Sequence, residues 1–324
     1  MIRPTRRRAA GFEPRKWFNS LVTSHAGTLA SIGNCIPTFE RRGFALTQPG
    51  GEKSALNQRL DTIVRMPFGE DQNFIPVGVV SKDYTLVQHG EVLNAAKRAI
   101  AVAGVKPEEV RAELDITEYG ERMALSLYLP KKYSYTPADD HPMDLRLECW
   151  NSVDGSTRFR ALMGWLRLVC SNGLVIGVTR SDIRRRHSGD FCIEDIGAVL
   201  QAGLCDAENE KRNFEEWRKA TINPSCFLPW VEGDLKRAWG FKAAARAFHI
   251  ARCGCDVDVC GPYKDNTPST VPVRMANLVP GSPCESRTLY DVSQILAWLA
   301  KERRDLQEQL EWREQIPALI QSLR

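Results

Sequence analysis

The chain has 324 residues, 43% hydrophobic and 26% charged, so it can bury a large core and is not expected to be disordered. Its longest apolar runs, such as residues 174–178, fall far short of the roughly 20 residues a membrane helix needs, and no membrane partner is expected. The net charge of +4 hides a segregation: residues 1–20 hold six basic side chains against one acid, and residues 158–186 hold seven arginines against one acid.

The first 45 or so residues carry Pro4, Pro14, Pro37 and scattered glycines without sustained periodicity, and read as a basic arm with short local structure. They lack the apolar core and cleavage site of a secretory signal, so a cytoplasmic location is expected. QPGGEK at 48–53 is a linker. Residues 74–80 (FIPVGVV) read as a buried strand, and the alanines and aliphatics at 91–102 have helical spacing, closed by Gly104. Residues 110–117 and 122–129 alternate apolar with polar around a turn at 118–121, which predicts a hairpin.

A second hairpin is expected over residues 144–173. Leu145, Leu147, Cys149 and Asn151 point one way and Arg146, Glu148, Trp150 and Ser152 the other, before the turn Asp154-Gly155. The return strand, 156–165, places Arg158 and Arg160 on one face and Phe159, Ala161 and Met163 on the other, as a half-buried ribbon. After Arg186 the pattern becomes helical: 193–204 is apolar, 206–221 is charged around Phe214 and Trp217, Pro224 and Pro229 interrupt, and 236–251 is a further helix. Residues 254–283, with five prolines, read as a long loop, and 289–310 as one amphipathic helix that docks on the body or pairs with a partner. The expected fold is α+β, with an antiparallel sheet and helices in the first half and a mainly helical C-terminal half. Its divisions are 1–53, the basic arm and linker; 54–186, the sheet domain with the arginine-bearing hairpin; and 187–324, a helical region separate from or continuous with it.

The chemistry is sparse. His249, Cys253, Cys255 and Cys260, as H-x3-C-x-C-x4-C, are residue types that suit zinc, although C-x-C does not match the paired C-x2-C spacing of common zinc sites; cysteines at a helix end are the plainer reading. The ten cysteines, spread through a large chain, are expected to be reduced thiols. No GxSxG, HExxH, GxxxxGK[ST] or strand-coupled GxGxxG pattern is present, which disfavours an ordinary hydrolase, kinase or nucleotide-binding enzyme. What remains is the pairing of arginine with aromatics between Trp150 and Arg186. Guanidinium groups neutralise phosphate, and an exposed aromatic can support an unstacked base. The candidate DNA contacts are Arg158, Arg160, Arg167, Arg184, Arg185 and Arg186, with Trp150 for stacking; the plainer reading turns the aromatics into the core.

The order of VGVVSKDY (77–84), WNSVDGS (150–156) and RLVCSNGL (167–174) resembles the phage/plasmid-like protein family, a domain of unknown function carried on plasmids, prophages and integrative elements. That resemblance, over roughly residues 74–298, implies a role in mobile-element DNA metabolism and supplies no catalytic residue or cofactor. A weaker similarity is to single-strand annealing recombinases, which form rings; a homo-oligomer is one consequence. The function expected is non-enzymatic binding of DNA, single strands favoured, in annealing, recombination or plasmid and phage DNA maintenance. The alternatives are an interaction protein that inhibits or redirects a host defence or regulatory protein, through the helix at 206–221 or the terminal one, and a metal-dependent enzyme.

Overall fold

The computed structural model describes residues 3–4, 15–45, 55–137, 141–167, 174–185, 187 and 192–324, with backbone alone at 3–4 and 174–185. In chain order the first elements are Arg3–Pro4 (β1), Lys16–Trp17 (β2), Ser20–Thr28 (β3), Leu29–Ile32 (α1), Phe39–Gly43 (β4), Leu60–Arg65 (β5), Ile75–Ser81 (β6) and His89–Val102 (α2). Arg111–Thr117 (β7), Arg122–Tyr128 (β8), Met143–Ser152 (β9), Phe159–Arg167 (β10) and Leu174–Arg185 (β11) follow. The remainder is Asp195–Lys219 (α3), Pro224–Trp230 (α4), a π-helical turn at Val231–Leu235, Lys236–Trp239 (α5), Phe241–Cys253 (α6), Cys255–Val259 (β12), Val273–Leu278 (β13), Leu289–Lys301 (α7) and Leu306–Ser322 (α8). The fold is α+β with antiparallel sheets, strands dominating the first half and helices the C-terminal part.

The chain divides into two compact units, one of Met1–Tyr133, Leu145–Met163 and Thr179–Cys205, the other of Ser134–Asp144, Gly164–Val178 and Asp206–Arg324. The main sheet has strand order β1-β3-β7-β8-β9-β10-β11, with β2 paired to β3. Alternation fixes its register: Ala112 lies opposite Leu127, Leu114 opposite Leu125, and Cys149 opposite Leu125 on the far side, so these residues of β7, β8 and β9 make an apolar layer on one face. The other face is polar and largely covered, which demands internal partners. Tyr128 Oη donates to Glu113 Oε2 at 2.5 Å, Arg146 Nε donates to Glu148 Oε1 at 2.9 Å, and the Arg111 guanidinium sits 3.6 Å above the Tyr128 ring. Burial pushes the Tyr128 hydroxyl up to about 12. Burial also works against the charge on Arg146, but Glu148 and Tyr128 outweigh it and raise its pKa.

Against this sheet the sequence expectations divide. The 110–129 hairpin and the 144–152 strand form as expected. Residues 15–45 are not an arm: they supply β2, β3, α1 and β4, and Trp17 is fully buried. Residues 74–80 do form a strand, β6, but Val80 is its one buried residue. In the C-terminal part, the proposed loop at 254–283 contains the β12–β13 ribbon, and the proposed single terminal helix is two, because Asp305 accepts from the backbone N–H of Gln307 and Glu308 and starts α8. Residues 193–221, read as an apolar and a charged segment, include the single helix α3. Within the second unit Arg246 forms an ion pair with Asp256, which also accepts from Trp298 Nε1 at 3.2 Å.

A smaller sheet, β4-β5-β6, packs Phe39, Ile63 and Val80 with Val153, from the turn after β9. The approach is close: a Cβ on Gly78 of β6 would lie 2.7 Å from Asp154 Cα, which is backbone and cannot swing away. Gly155, at φ 75, supplies the left-handed residue that this turn requires. Tyr84 Oη closes the junction by donating to the Ser152 carbonyl at 2.9 Å.

Two histidines are buried beside it. His89 is fully buried with both ring nitrogens engaged: Nε2 donates to the Gly120 carbonyl at 2.8 Å, and Nδ1 accepts from Asn151 Nδ2 at 2.9 Å. A second ring proton would face the Asn151 N–H, so the neutral form is required; burial lowers the pKa to about 4. His187, stacked on Tyr84 with ring centroids 5.1 Å apart, is likewise lowered by burial to about 4.

Two outcomes are expected from this packing. Gly78→Ala should cost about 2 kcal/mol by overpacking, whereas Gly233→Ala, with nothing within 4 Å of the new methyl, should be neutral or stabilising. Urea unfolding of both variants checks this; equal midpoints would contradict it. Because the folded-state pKa of each histidine lies below its unfolded value of 6.5, the unfolded chain binds more protons between the two. Stability should therefore be complete above about pH 6.5 and fall as the pH drops toward 4, by up to about 3 kcal/mol per histidine. Urea midpoints that stay level from about pH 7 to 4.5 would refute the assignment.

Candidate nucleic-acid interface

The register brings a defined set of chain ends together. With Val22 opposite Thr117 and Arg122 opposite Ser152, the start of β3, the end of β7, the start of β8 and the end of β9 share one end of the main sheet. β10 and β11 are neighbours separated by six residues, a connection that permits only antiparallel pairing. The start of β10 and the end of β11 therefore belong to the same end. His187 agrees with this placement, since its carbonyl accepts from the Thr85 N–H at 3.0 Å while Tyr84 holds Ser152.

Arg122 ties the turns at this end to one another. Its Nη1 donates to the Trp17 carbonyl at 2.8 Å, its Nη2 to Asp154 Oδ2 at 2.7 Å, and its Nε to Ser156 Oγ at 2.8 Å. The same guanidinium lies 5.0 Å from the centre of the Phe18 ring. Phe18 occupies the β2–β3 turn at φ 53, a conformation that costs a bulky side chain on the order of 1–3 kcal/mol, and its side chain faces solvent at 44% exposure. Tyr119, in the β7–β8 turn, is 46% exposed, and Leu21 beside it is 42% exposed. Ser20 and Thr117 both donate to Glu121, fixing the backbone between these turns.

The sequence-derived site residues fall into three groups. Arg158 is exposed at the start of β10, on this end of the sheet. Arg184 and Arg185 close β11 on the same end, their side chains outside the described set, and Arg186 lies outside the described residues. The other three are interior. Arg160 is 7% exposed, because all nine positions of β10 are buried and the ribbon is not half-open as expected. Arg167 is 2% exposed and donates to Gln294 Oε1 at 3.1 Å. Trp150 is 5% exposed, with the Trp17 ring edge-on to it at 5.1 Å and its Nε1 turned to Glu148, so no face remains for a base. Phe18 and Tyr119 were missed because each stands in a turn, outside any alternating pattern; a bulky aromatic beside Asn19 or Gly120 was the available signal.

The proposed metal ligands are not assembled. His249 and Cys253 share α6, where Cys253 Sγ donates to the His249 carbonyl at 3.0 Å, and Cys260 lies at the far end of β12 from Cys255. Among the described residues no group of three or more His, Cys, Asp or Glu side chains is arranged to hold a metal ion. No described helix is long and apolar enough to cross a membrane.

Comparison with known proteins gives a family, and relatives that match over a short stretch. Two Escherichia coli (strain K12) proteins, UPF0380 protein YafZ and UPF0380 protein YfjQ, are 41% and 39% identical to this chain over 64 residues. That stretch is 19% of this chain and 23% of each relative, so the chain spans about a quarter of the length of the curated relatives it matches. No solved structure matches. The family model described as "Domain of unknown function (DUF932)" matches residues 76–249, more than half of the chain, and the chain belongs to that family.

Proposed function

We propose that this member of the DUF932 family is a non-enzymatic DNA-binding protein of a mobile genetic element, engaging single strands at the turn end of its main sheet. The observation that carries the reading is that Arg158 and the end of β11, at Arg184 and Arg185, share one sheet end with the exposed rings of Phe18 and Tyr119. Guanidinium groups follow a phosphate backbone, and aromatic faces receive bases that a duplex would keep stacked. Arg122 sets the spacing of the aromatic turn against the Asp154 turn without spending its own charge on the ligand. Arg160, Arg167 and Trp150 leave the proposed site, as their burial gives a strand no access. The mobile-element setting, and a task in annealing, recombination or plasmid and phage DNA maintenance, rest on the resemblance of the motifs at 77–84, 150–156 and 167–174.

Fluorescence anisotropy with a labelled single-stranded oligonucleotide tests this. With about four phosphate contacts, affinity should fall roughly 50-fold between about 50 and 200 mM salt. Replacing Arg158, Arg184, Arg185 and Arg186 together by alanine should remove most of that salt dependence. Phe18→Ala with Tyr119→Ala should weaken single-strand binding by about tenfold or more while leaving the salt slope in place. Absence of binding at about 50 mM salt, or arginine variants that bind as the unaltered chain does, would sink the proposal.

A further inference from the structure

The second unit gathers three thiols that the DNA reading does not use. α6 ends at Cys253, Gly254 turns the chain at φ 70, and Cys255 opens β12. This turn is pressed against the segment that precedes α7: a Cβ on Gly254 would stand 2.8 Å from the Pro283 carbonyl oxygen and 3.5 Å from Cys284 Cα. The approach is pinned on both sides, by the Val279 N–H donating to the Gly254 carbonyl at 2.9 Å and the Ser286 N–H donating to the Ala251 carbonyl at 2.7 Å. Cys284 is exposed, and Cys253 and Cys255 are half-buried. Burial first, and then the neighbouring Cys253 and Cys284 sulfurs, push the Cys255 thiol up; Cys253 is engaged with the His249 carbonyl.

We infer that Cys284 and Cys255 form a thiol–disulfide modification site that accepts a low-molecular-weight disulfide such as oxidised glutathione. The exposed Cys284, as thiolate, attacks one sulfur of that disulfide; its S–S bond breaks and one glutathione thiolate leaves and takes up a proton. Cys255 then gives its proton to solvent and attacks the Cys284 sulfur of the mixed disulfide, expelling the second glutathione. Two protein thiols are oxidised and one external disulfide is reduced to two thiols. The product ties the end of α6 and the start of β12 to the segment entering α7. Proximity drives the second step: a thiol held beside the mixed disulfide acts at a high effective concentration.

The experiment uses the full reduced chain with oxidised glutathione, acid quenching at intervals, and peptide mapping without reductant. Cys226, exposed on α4, is the internal comparator. Expected is a cross-link between the peptide holding Cys255 and that holding Cys284, while Cys226 accumulates as a glutathione adduct. In Cys255→Ser the adduct on Cys284 should persist about tenfold longer. A Cys284 adduct as long-lived as that on Cys226 in the unaltered chain would overturn the inference, and this arm needs no variant to fold. A Cys284 cross-link that forms unchanged in Cys255→Ser would overturn the assignment of Cys255.

Discussion

One guanidinium, that of Arg122, sets the geometry on which the rest of the first unit depends. It spans the Trp17 carbonyl, Asp154 and Ser156, three groups that belong to two separate turns, while leaving its face toward Phe18. Little exposed, it and Asp154 form an ion pair that water screens weakly, and loss of either partner would strand a buried charge. The Asp154 turn that it holds is the same one that Gly78 approaches and that sends Val153 into the small sheet's core. The segments 77–84 and 150–156, far apart in sequence, are therefore one structural unit.

That arrangement explains which parts of the fold were legible in the sequence. β7, β8 and β9 alternate strictly, and Gly155 after Asp154 marks a turn by the need for positive φ, so strands and turns could be read from period and chemistry. β3 could not be: SLVTSHAGT has small and polar residues on both faces, and it is held by pairing to β7 and by Arg15 on Asp115 and Ser24, contacts that no local pattern encodes. β12 and β13 are short and lie among prolines, so their pairing was read as irregular chain.

The site shows the same limit more sharply. Alternation correctly separated Arg146, Glu148 and Trp150 from Leu147 and Cys149, but a period of two says only that the faces differ, not that one is open. Here the polar face is covered too, and its charges are matched within the protein, Arg146 by Glu148 and Tyr128. An arginine in a strand was thus an ambiguous signal, whereas one at a strand end, such as Arg158, stays in water. Phe18 and Tyr119, which do reach the surface, stand in turns, where no apolar layer can claim them.

The most direct test is photochemical crosslinking of the full chain to a single-stranded oligonucleotide carrying 5-bromouracil, followed by peptide mapping. Crosslinks should fall on the peptides that contain Phe18 and Tyr119, and should diminish as salt is raised, if the proposed contact of the strand with the arginines at the same sheet end holds. Crosslinks confined to peptides of the second unit, or none above the level of a control protein, would contradict the placement of the interface at the turn end of the sheet.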